Sequence, residues 1–409
     1  MSRSRAAIGI AALVLVLGLA AWRGPLAGLL GGGPATPSPV PVALASIAPS
    51  PVASPSAPPS PSPSPSLPAP SPSPSLVPGP LDGLPVTAAA AALHPIAVMV
   101  DDLAAARPQS GFSAASVVWQ APAEGGIPRY MMVFQSQTPA AVGPVRSARY
   151  YYIAWAAEWR AVYVHAGGSP QALETLAAKG NGQLVYNADD FRYEGRYLWR
   201  VTTRYPPHNL YTDGRHLRQL AKVVHAPNTP LAPAWQFAPD AALADRPVGG
   251  SISVAYPYNR ITYRYDQATN TYRRSVTGEK VEKDAGTGTP VAPKNVIVML
   301  MHFGPLNDGH PQKGRLEATV VGSGPAWIST NGQTIKGTWR KTSLTAPTRF
   351  FGPGGTPVTL TAGQTFVQVL PVGSAVTIVR GTPPSALSTG DGTSLDGATA
   401  LRPGGPALA

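Results

Sequence analysis

The hydrophobic positions between residues 94 and 240 follow two periods in turn, and this predicts strands interleaved with helices. Strand-like runs have apolar residues at every second position or in short blocks, as in "PIAVMVDD", "ASVVWQAPA", "RYMMVFQS" and "AVYVHAGG". Helix-like runs have apolar residues three and four apart, over residues 150–159, 171–179 and 215–224. Strands that alternate with helices indicate an α/β layer domain over residues 94–240.

The pattern changes after residue 247. From residue 248 to 380 it is almost purely strand and turn, as in "SISVAY", "RITYRYDQATNTYRRSV", "NVIVMLM" and "TFVQVLPVG". Turn residues such as Asn331-Gly332 and Gly354-Gly355 separate these runs. We therefore expect a smaller antiparallel β domain over residues 248–380, and the fold class is α+β. Residues 226–247 are poor in hydrophobic side chains and mark the boundary.

The first 33 residues are typical of a segment that is directed to a membrane. Arg3 and Arg5 precede the uncharged apolar run "AAIGIAALVLVLGLAAW", which is close to the lower limit for crossing a bilayer. Positive charge before the run predicts a single-pass anchor with its N-terminus in the cytoplasm and the bulk of the chain extracytoplasmic at the cell membrane. A signal peptide that is cleaved near Ala20 or Ala27 is the alternative, and it gives a secreted protein. Both interpretations export the rest of the chain.

Proline and serine dominate the next segment of the chain, and this composition cannot build a packed core. The chain has 48 Pro and 42 Gly, and it includes the run "SPSPSPS". Such sequence favours extended polyproline II structure, so residues 34–93 are predicted to be a disordered stalk. Residues 381–409 are predicted to be a disordered tail.

Charge and cysteine content narrow the function. The formal net charge is +12 although only 13% of the residues are charged, which favours anionic partners. No dense run of Lys and Arg or RNA-binding motif is present, so nucleic acid is not an expected partner. The absence of cysteine excludes disulfides, thiolate metal sites, a thiol nucleophile and lipid attachment through an N-terminal cysteine. Nothing in the sequence indicates a cofactor.

The stretch "VYVHAGGSPQALETL" predicts a strand, a glycine turn and a helix. Gly167 and Gly168 allow a sharp turn, Ser169 stands at the N-cap position and Pro170 at the first helical position. A helix that begins in this way has free backbone N–H groups and a positive dipole end, which together can hold an anion. Purely structural turns use the same residues, so the sequence leaves both interpretations open.

Three arginines near this turn are candidate ligand-binding residues. Arg146 and Arg149 lie in "GPVRSARYYY", and Arg129 follows a glycine turn in "EGGIPRY". A guanidinium group can bind carboxylate or phosphate through two parallel hydrogen bonds. The alternative is that each arginine forms an ordinary ion pair with an acidic residue of the protein.

Histidines and acids supply candidates for chemistry. His208 and Asn209 follow a rigid Pro-Pro pair, and we include both among the ligand-binding candidates. His165 or His208 could act as a general base with Asp101 or Asp102, which follow a predicted strand. Structural hydrogen bonding is the more common role of such residues.

A metal site is a weaker possibility. The loop "MHFGPLNDGHPQKGR" contains His302, Asp308 and His310. Without a further carboxylate at a defined position this trio does not make a convincing site. We therefore predict no metal.

Several long motifs resemble the YerB-type lipoproteins, a bacterial family whose two domains have no established function. The stretches "ARPQSGFSAASVVWQAPAEGGIPRYMMVFQSQ", "GPVRSARYYYIAWAAEW", "VYVHAGGSPQALETL" and "PHNLYT" look like its first domain. The stretches "NVIVMLM", "GRLEATVVGSGPAWISTNGQTIKGTWRKTS" and "GQTFVQVLP" look like its second. The resemblance covers residues 94–379 and implies an extracytoplasmic, membrane-associated protein of two domains. It implies no catalytic set.

The chain departs from the family pattern at two points. It has no cysteine to carry a lipid, so the apolar segment of residues 1–33 would replace the lipid tether. It has Gln120 where the family tends to carry an acid, which weakens any enzyme mechanism based on that position.

Three classes of function are compatible with these observations. The first is a module that binds an anionic cell-envelope ligand, such as a cell-wall polymer. The second is an envelope hydrolase or transferase, and the sequence does not decide whether the protein is an enzyme. The third is a scaffold that docks another envelope protein. Convergence of the arginines, histidines and glycine turn at one place would favour the first two.

Overall fold

A ten-stranded mixed sheet runs through the described part of the chain and contains strands from both predicted domains. The computed structural model describes residues 75–277 and 281–384. The anchor predicted for residues 1–33 lies outside these residues, as do most of the predicted stalk and tail. Among the described residues, no helix is long and apolar enough to cross a bilayer.

The first half of the described chain contains ten strands and five α-helices. The strands are β1 (Leu76–Pro78), β2 (Pro85–Thr87), β3 (Ile96–Asp101), β4 (Val117–Pro122), β5 (Pro128–Phe134), β6 (Val162–His165), β7 (Tyr186–Asp189), β8 (Trp199–Arg200), β9 (Leu210–Tyr211) and β10 (Gln236–Ala238). The helices are α1 (Ala88–Ala91), α2 (Tyr150–Ala156), α3 (Pro170–Lys179), α4 (Asp190–Tyr193) and α5 (Gly214–Val223).

The second half is built from strands and short turns. Its strands are β11 (Ser251–Ala255), β12 (Arg260–Asp266), β13 (Thr271–Val276), β14 (Asn295–Met301), β15 (Phe303–Pro305), β16 (Leu316–Ala318), β17 (Gly322–Thr330), β18 (Gln333–Lys341), β19 (Arg349–Phe351), β20 (Thr359–Thr361), β21 (Thr365–Pro371) and β22 (Val376–Val379). Single turns of 3₁₀ helix occur throughout the described chain, at Ala104–Ala106, Phe112–Ala114, Glu124–Gly126, Ala157–Trp159, Leu243–Asp245, Pro311–Lys313 and Pro353–Gly355.

The strand order of the large sheet is β19-β18-β17-β14-β21-β4-β5-β3-β6-β7. β14, β21 and β4 are parallel, and so are β3, β6 and β7. β5 lies between the two groups and is antiparallel to both β4 and β3, so the two groups run in the same direction. The six strands of these two groups therefore end at one side of the sheet, which we call the carboxyl edge.

The prediction of an antiparallel β domain over residues 248–380 is correct only in part. β13-β12-β11-β22 form a separate antiparallel sheet, and β17, β18 and β19 are antiparallel in the large sheet. β14 and β21, however, are parallel, and β21 also pairs in parallel with β4. Both strands are almost entirely buried, which is typical of strands that are covered on both faces.

Side chains of the large sheet alternate between two hydrophobic cores. Ala97 and Met99 of β3 face a core that includes the stacked rings of Trp119 and Trp155. Val98 and Val100 face a second core, which also includes side chains of β11, β12 and α5. The small antiparallel sheet therefore covers the face opposite to α2 and α3.

The helices that the sequence predicts are present with small shifts at their ends. α3 begins at Pro170 after an N-cap at Ser169, as predicted. α5 begins one residue earlier than predicted and is capped by Asp213, whose side chain accepts a hydrogen bond from the His216 N–H. The preceding Thr212 donates to the Tyr197 carbonyl.

The predicted stalk ends earlier than residue 93. Residues 75–93 are ordered and form β1, β2 and α1. Leu81 is buried in the first core, and Asp82 accepts a hydrogen bond of 2.7 Å from the Ser116 hydroxyl. A few apolar and acidic side chains therefore anchor this Pro- and Ala-rich stretch, which composition alone does not show.

Candidate functional site

A connecting segment, residues 142–149, crosses the carboxyl edge and joins the ends of three strands. The Val145 N–H donates to Leu210 of β9, and the Arg146 N–H donates to Met99 of β3. The Arg146 carbonyl then accepts from Ala166, just beyond β6. Because backbone hydrogen bonds hold the segment on both sides, the positions of Arg146 and Arg149 are fixed by the sheet.

Gly143 makes this crossing possible. Its φ is +153°, and a Cβ at this position would lie 2.8 Å from the Leu210 carbonyl oxygen. A side chain would therefore push the segment away from β9. Close approach of two backbones, rather than a turn, requires glycine here.

Glu124 joins two of the predicted arginines. Arg129 donates from Nη2 to Glu124 Oε2 at 3.1 Å and from Nη1 to the Ser147 carbonyl at 3.1 Å. Arg149, which is almost fully buried, pairs with the other oxygen of Glu124. Burial raises the pKa of Glu124, but Arg129 and Arg149 outweigh it and hold this pKa below its usual value. Burial and the nearby Arg129 lower the pKa of Arg149. Two guanidinium groups thus share one carboxylate.

Asp101 joins the third arginine to a histidine. One carboxylate oxygen, Oδ2, lies 2.9 Å from Arg146 Nε and 2.7 Å from His208 Nδ1. His208 therefore pairs with Asp101, one of the two acids that the sequence offered as its partner. A carboxylate that orients an imidazole is also found in general bases, so the pair is compatible with binding and with proton transfer.

His165 lies beneath the glycine turn and is completely buried. Its Nδ1 is 2.8 Å from the Gly167 carbonyl oxygen, which can only accept, so Nδ1 donates. Its Nε2 is 2.7 Å from Asn187 Oδ1 on β7. Asp189 completes the turn by accepting a hydrogen bond of 3.0 Å from the Gly167 N–H. Both ring nitrogens therefore contact the protein itself.

The other predicted residues of the turn have structural contacts. Gly167 has a φ of +61°, in the left-handed region that favours glycine, and Gly168 bridges to Ala148 of the connecting segment. Ser169 is buried and caps α3 by accepting from the Ala172 N–H. The turn and the arginine segment are thus hydrogen-bonded to each other at the same edge.

Asn209 is turned away from the arginines of the edge. Its amide group donates to the Val201 carbonyl at 3.2 Å and accepts from Arg200 at 3.2 Å. These contacts close the loop between β8 and β9. Asn209 therefore supports the loop that carries His208, without contact to Arg129, Arg146 or Arg149.

Asp102, a catalytic candidate, lies inside the molecule rather than at the edge. Its carboxylate accepts from Arg107 at 3.0 Å, from Gln120 at 2.6 Å and from Asn259 at 3.1 Å. Burial raises its pKa although Arg107 and Arg274 act in the opposite direction. Asp102 therefore joins the two halves of the chain, because Asn259 belongs to the second half.

Gln120 is part of the same buried network. Its Nε2 donates to Asp102, and its Oε1 accepts from Arg274 Nη2 at 2.9 Å. Arg274 also donates to Tyr130 at 2.8 Å and pairs with the buried Glu282. The Gln120 amide group thus donates one buried hydrogen bond and accepts another. The sequence does not reveal this network, since its members are far apart along the chain.

The loop with His302, Asp308 and His310 has a structural ion pair. Asp308 pairs with Arg315, and this contact lowers the pKa of Asp308. Within residues 75–277 and 281–384, no three His, Asp or Glu side chains are grouped so that they could hold a metal ion.

Comparison with known proteins also distinguishes two regions of the chain. The family described as "Protein of unknown function (DUF3048) N-terminal domain" matches residues 81–226, and its C-terminal domain matches residues 252–367. The "Putative lipoprotein YerB" of Bacillus subtilis (strain 168) is 30% identical over 308 residues, which are 74% of this chain and 88% of that protein.

A solved structure supports the same assignment. The crystal structure of the YerB protein from Bacillus subtilis matches with a TM-score of 0.65 at 27% sequence identity. The match covers 74% of this chain and 99% of that one. Sequence and structure thus agree with the resemblance seen in the motifs, and the chain belongs to the YerB-like DUF3048 family.

Proposed function

We propose that the protein is held at the outer face of the cell membrane and binds an anionic ligand of the cell envelope at the carboxyl edge. The observation that carries the proposal is the convergence of Arg129, Arg146, Arg149 and His208 on only two carboxylates, those of Glu124 and Asp101. Three guanidinium groups therefore face two negative charges. The residual positive charge favours an anion.

Arg146 is the side chain that is best placed to contact a ligand. Its side chain is 27% exposed, whereas those of Arg129 and Arg149 are more deeply buried. Arg149 and Glu124 thus form the buried support of the site, and Arg146 presents donor groups to solvent. A guanidinium already held by a carboxylate loses little freedom when an anion arrives, which favours binding.

The proposed location at the membrane is based on the similarity to the Bacillus subtilis protein. The relative is named as a lipoprotein, and such a protein is tethered outside the membrane. This chain has no cysteine for a lipid, so we propose that residues 1–33 provide the tether. The ordered part of the chain would then stand outside the membrane, beyond the Pro- and Ser-rich stretch.

Titration of the full-length protein with two anionic polymers tests the proposal. The probes are a poly(glycerol phosphate) oligomer and an oligogalacturonate, measured by calorimetry at low and at physiological salt. We expect binding to at least one probe to weaken with salt and to weaken about ten-fold in Arg146→Gln, since a charge-assisted hydrogen bond contributes about 1.5–3 kcal/mol.

Arg273→Gln is the matched control. Arg273 is also an exposed arginine with one carboxylate partner, Asp266, but it lies on β13 in the small sheet. Its variant should bind as the parent does. Equal affinities of the Arg146 and Arg273 variants, or no binding of either polymer by the parent, would contradict the proposal and favour a scaffold.

A further inference from the structure

Two aromatic side chains in segments next to the proposed site project into solvent. Phe191 is 85% exposed and Tyr205 is 89% exposed. Large hydrophobic side chains with so little cover mark interaction sites when they are grouped around a polar centre. Tyr205 lies in the loop before His208, and Phe191 lies at the start of α4.

Phe191 lies directly against the glycine turn. A Cβ built on Gly167 would be 3.2 Å from Phe191 Cε2, so the ring edge covers this turn. On the other side, a Cβ on Gly168 would be 3.1 Å from Leu173, which is also partly exposed. Apolar side chains therefore lie on both sides of the turn. Because Gly167 has no side chain, Phe191 has room next to it.

A chain of contacts links Phe191 to Tyr205 through the cationic centre. Next to the turn, the Ala166 N–H donates to the Arg146 carbonyl. Arg146 and His208 meet on Asp101 Oδ2, and the His208 N–H donates to the Tyr205 carbonyl at 3.0 Å. Phe191 and Tyr205 are thus each connected to Arg146 by a short series of contacts.

We infer that the ligand is an anionic glycan, whose sugar rings pack on Phe191 and Tyr205 while its carboxylate or phosphate binds Arg146. This inference deepens the proposed function and rests on it. The C–H faces of a pyranose ring are apolar, and aromatic rings provide a large, rigid surface for them. A guanidinium connected to two such surfaces fits a polymer in which rings and charges alternate.

The test compares four probes on the full-length protein by calorimetry. Oligogalacturonate carries rings and charges, poly(glycerol phosphate) carries charges without sugar rings, a dextran oligosaccharide carries rings without charges, and a single-stranded DNA oligomer carries bases and dense phosphates. We expect oligogalacturonate to bind at least about five-fold more tightly than the other three, because among the four probes it alone combines apolar sugar-ring faces for Phe191 and Tyr205 with carboxylates for Arg146.

The variants Phe191→Ala and Tyr205→Ala should each weaken oligogalacturonate about five-fold and leave poly(glycerol phosphate) unchanged. Leu243→Ala is the control, since Leu243 is an exposed apolar residue in a different part of the chain. Equal binding of both anionic polymers with no effect of either aromatic variant would overturn the inference and leave the proposed function intact. Tighter binding of DNA would overturn it as well. If none of the anionic probes binds, the result contradicts the proposed function itself.

Discussion

His165 shows how one residue can organise a site without facing it. The ring is buried and joins the turn carbonyl of Gly167 to Asn187 on the neighbouring strand. It therefore fixes the distance between β6 and β7 at the point where the glycine turn begins. The same contacts leave neither ring nitrogen free for a substrate in the described structure.

We predict that His165→Ala destabilises the fold by about 2–4 kcal/mol, because it leaves a cavity and removes two buried hydrogen bonds, those to the Gly167 carbonyl and to Asn187 Oδ1. The measurement is urea unfolding followed by circular dichroism. His302→Ala is the control, since His302 is exposed and its removal should not shift the midpoint. An unchanged midpoint in the His165 variant would refute the structural role that we assign to this ring.

Sequence reasoning at the scale of residues succeeded where chemistry is local. Ser169 and Pro170 begin α3 because cap and first-turn preferences depend on neighbours along the chain. Asp101 was placed at a strand end for the same reason. Which of the two acids pairs with His208 and the buried position of Asp102 could not be predicted, since both depend on residues that meet only in the folded chain.

At the scale of elements, a buried ion pair attaches the 3₁₀ turn after α2 to β18. Lys341 Nζ donates to Glu158 at 2.9 Å, and Thr348 donates to the same oxygen at 2.6 Å. Both charged side chains are fully buried. Burial raises the pKa of Glu158 and lowers that of Lys341, so each charge depends on the other.

We predict that Lys341→Ala destabilises the protein by about 3–5 kcal/mol, because Glu158 is left as an unpaired buried charge. The double variant Lys341→Met with Glu158→Leu should recover most of this loss, since it removes both charges and keeps the volume. Thermal unfolding in a calorimeter measures both effects. Lys336→Met, an exposed position on the same strand, is the control. A double variant no more stable than Lys341→Ala would contradict the argument.

Strand and helix positions can be predicted well from periodicity, but strand pairing cannot. The runs over β3, β4, β5 and β6 were identified from their apolar patterns, and so were the three longer helices. The direction of β21 was not, because a fully buried run has the same pattern in parallel and antiparallel sheets. Only its neighbours β14 and β4 reveal that it is parallel.

At the scale of the whole molecule, the two family regions share one sheet. β4 of the first region pairs with β21 of the second, and Gln120 next to this junction contacts Arg274. The regions are distinct as sequence motifs, yet the hydrogen bonds of the sheet continue across them. We therefore expect residues 75–384 to unfold in one transition.

We predict that residues 75–240 do not fold when they are expressed alone. The fully buried strand β4 would become an exposed edge with unpaired backbone groups, and Asp102 would lose Asn259. Circular dichroism and size-exclusion chromatography would show an aggregated or unfolded fragment. Extension of the fragment by residues 241–384 should restore a cooperative transition. A fragment of residues 75–240 that is monomeric and folded would contradict the prediction.

The pairing of Val117 with Thr365 also governs when the protein can fold. During synthesis, and during the export that the proposed location requires, β4 emerges early, and its partner emerges only after nearly all of the described chain. Until then the nascent chain carries an unpaired β edge in a crowded compartment, a state that promotes aggregation. We expect folding to be slow and to depend on holding factors outside the membrane, and a premature stop before Pro371 to yield no usable product.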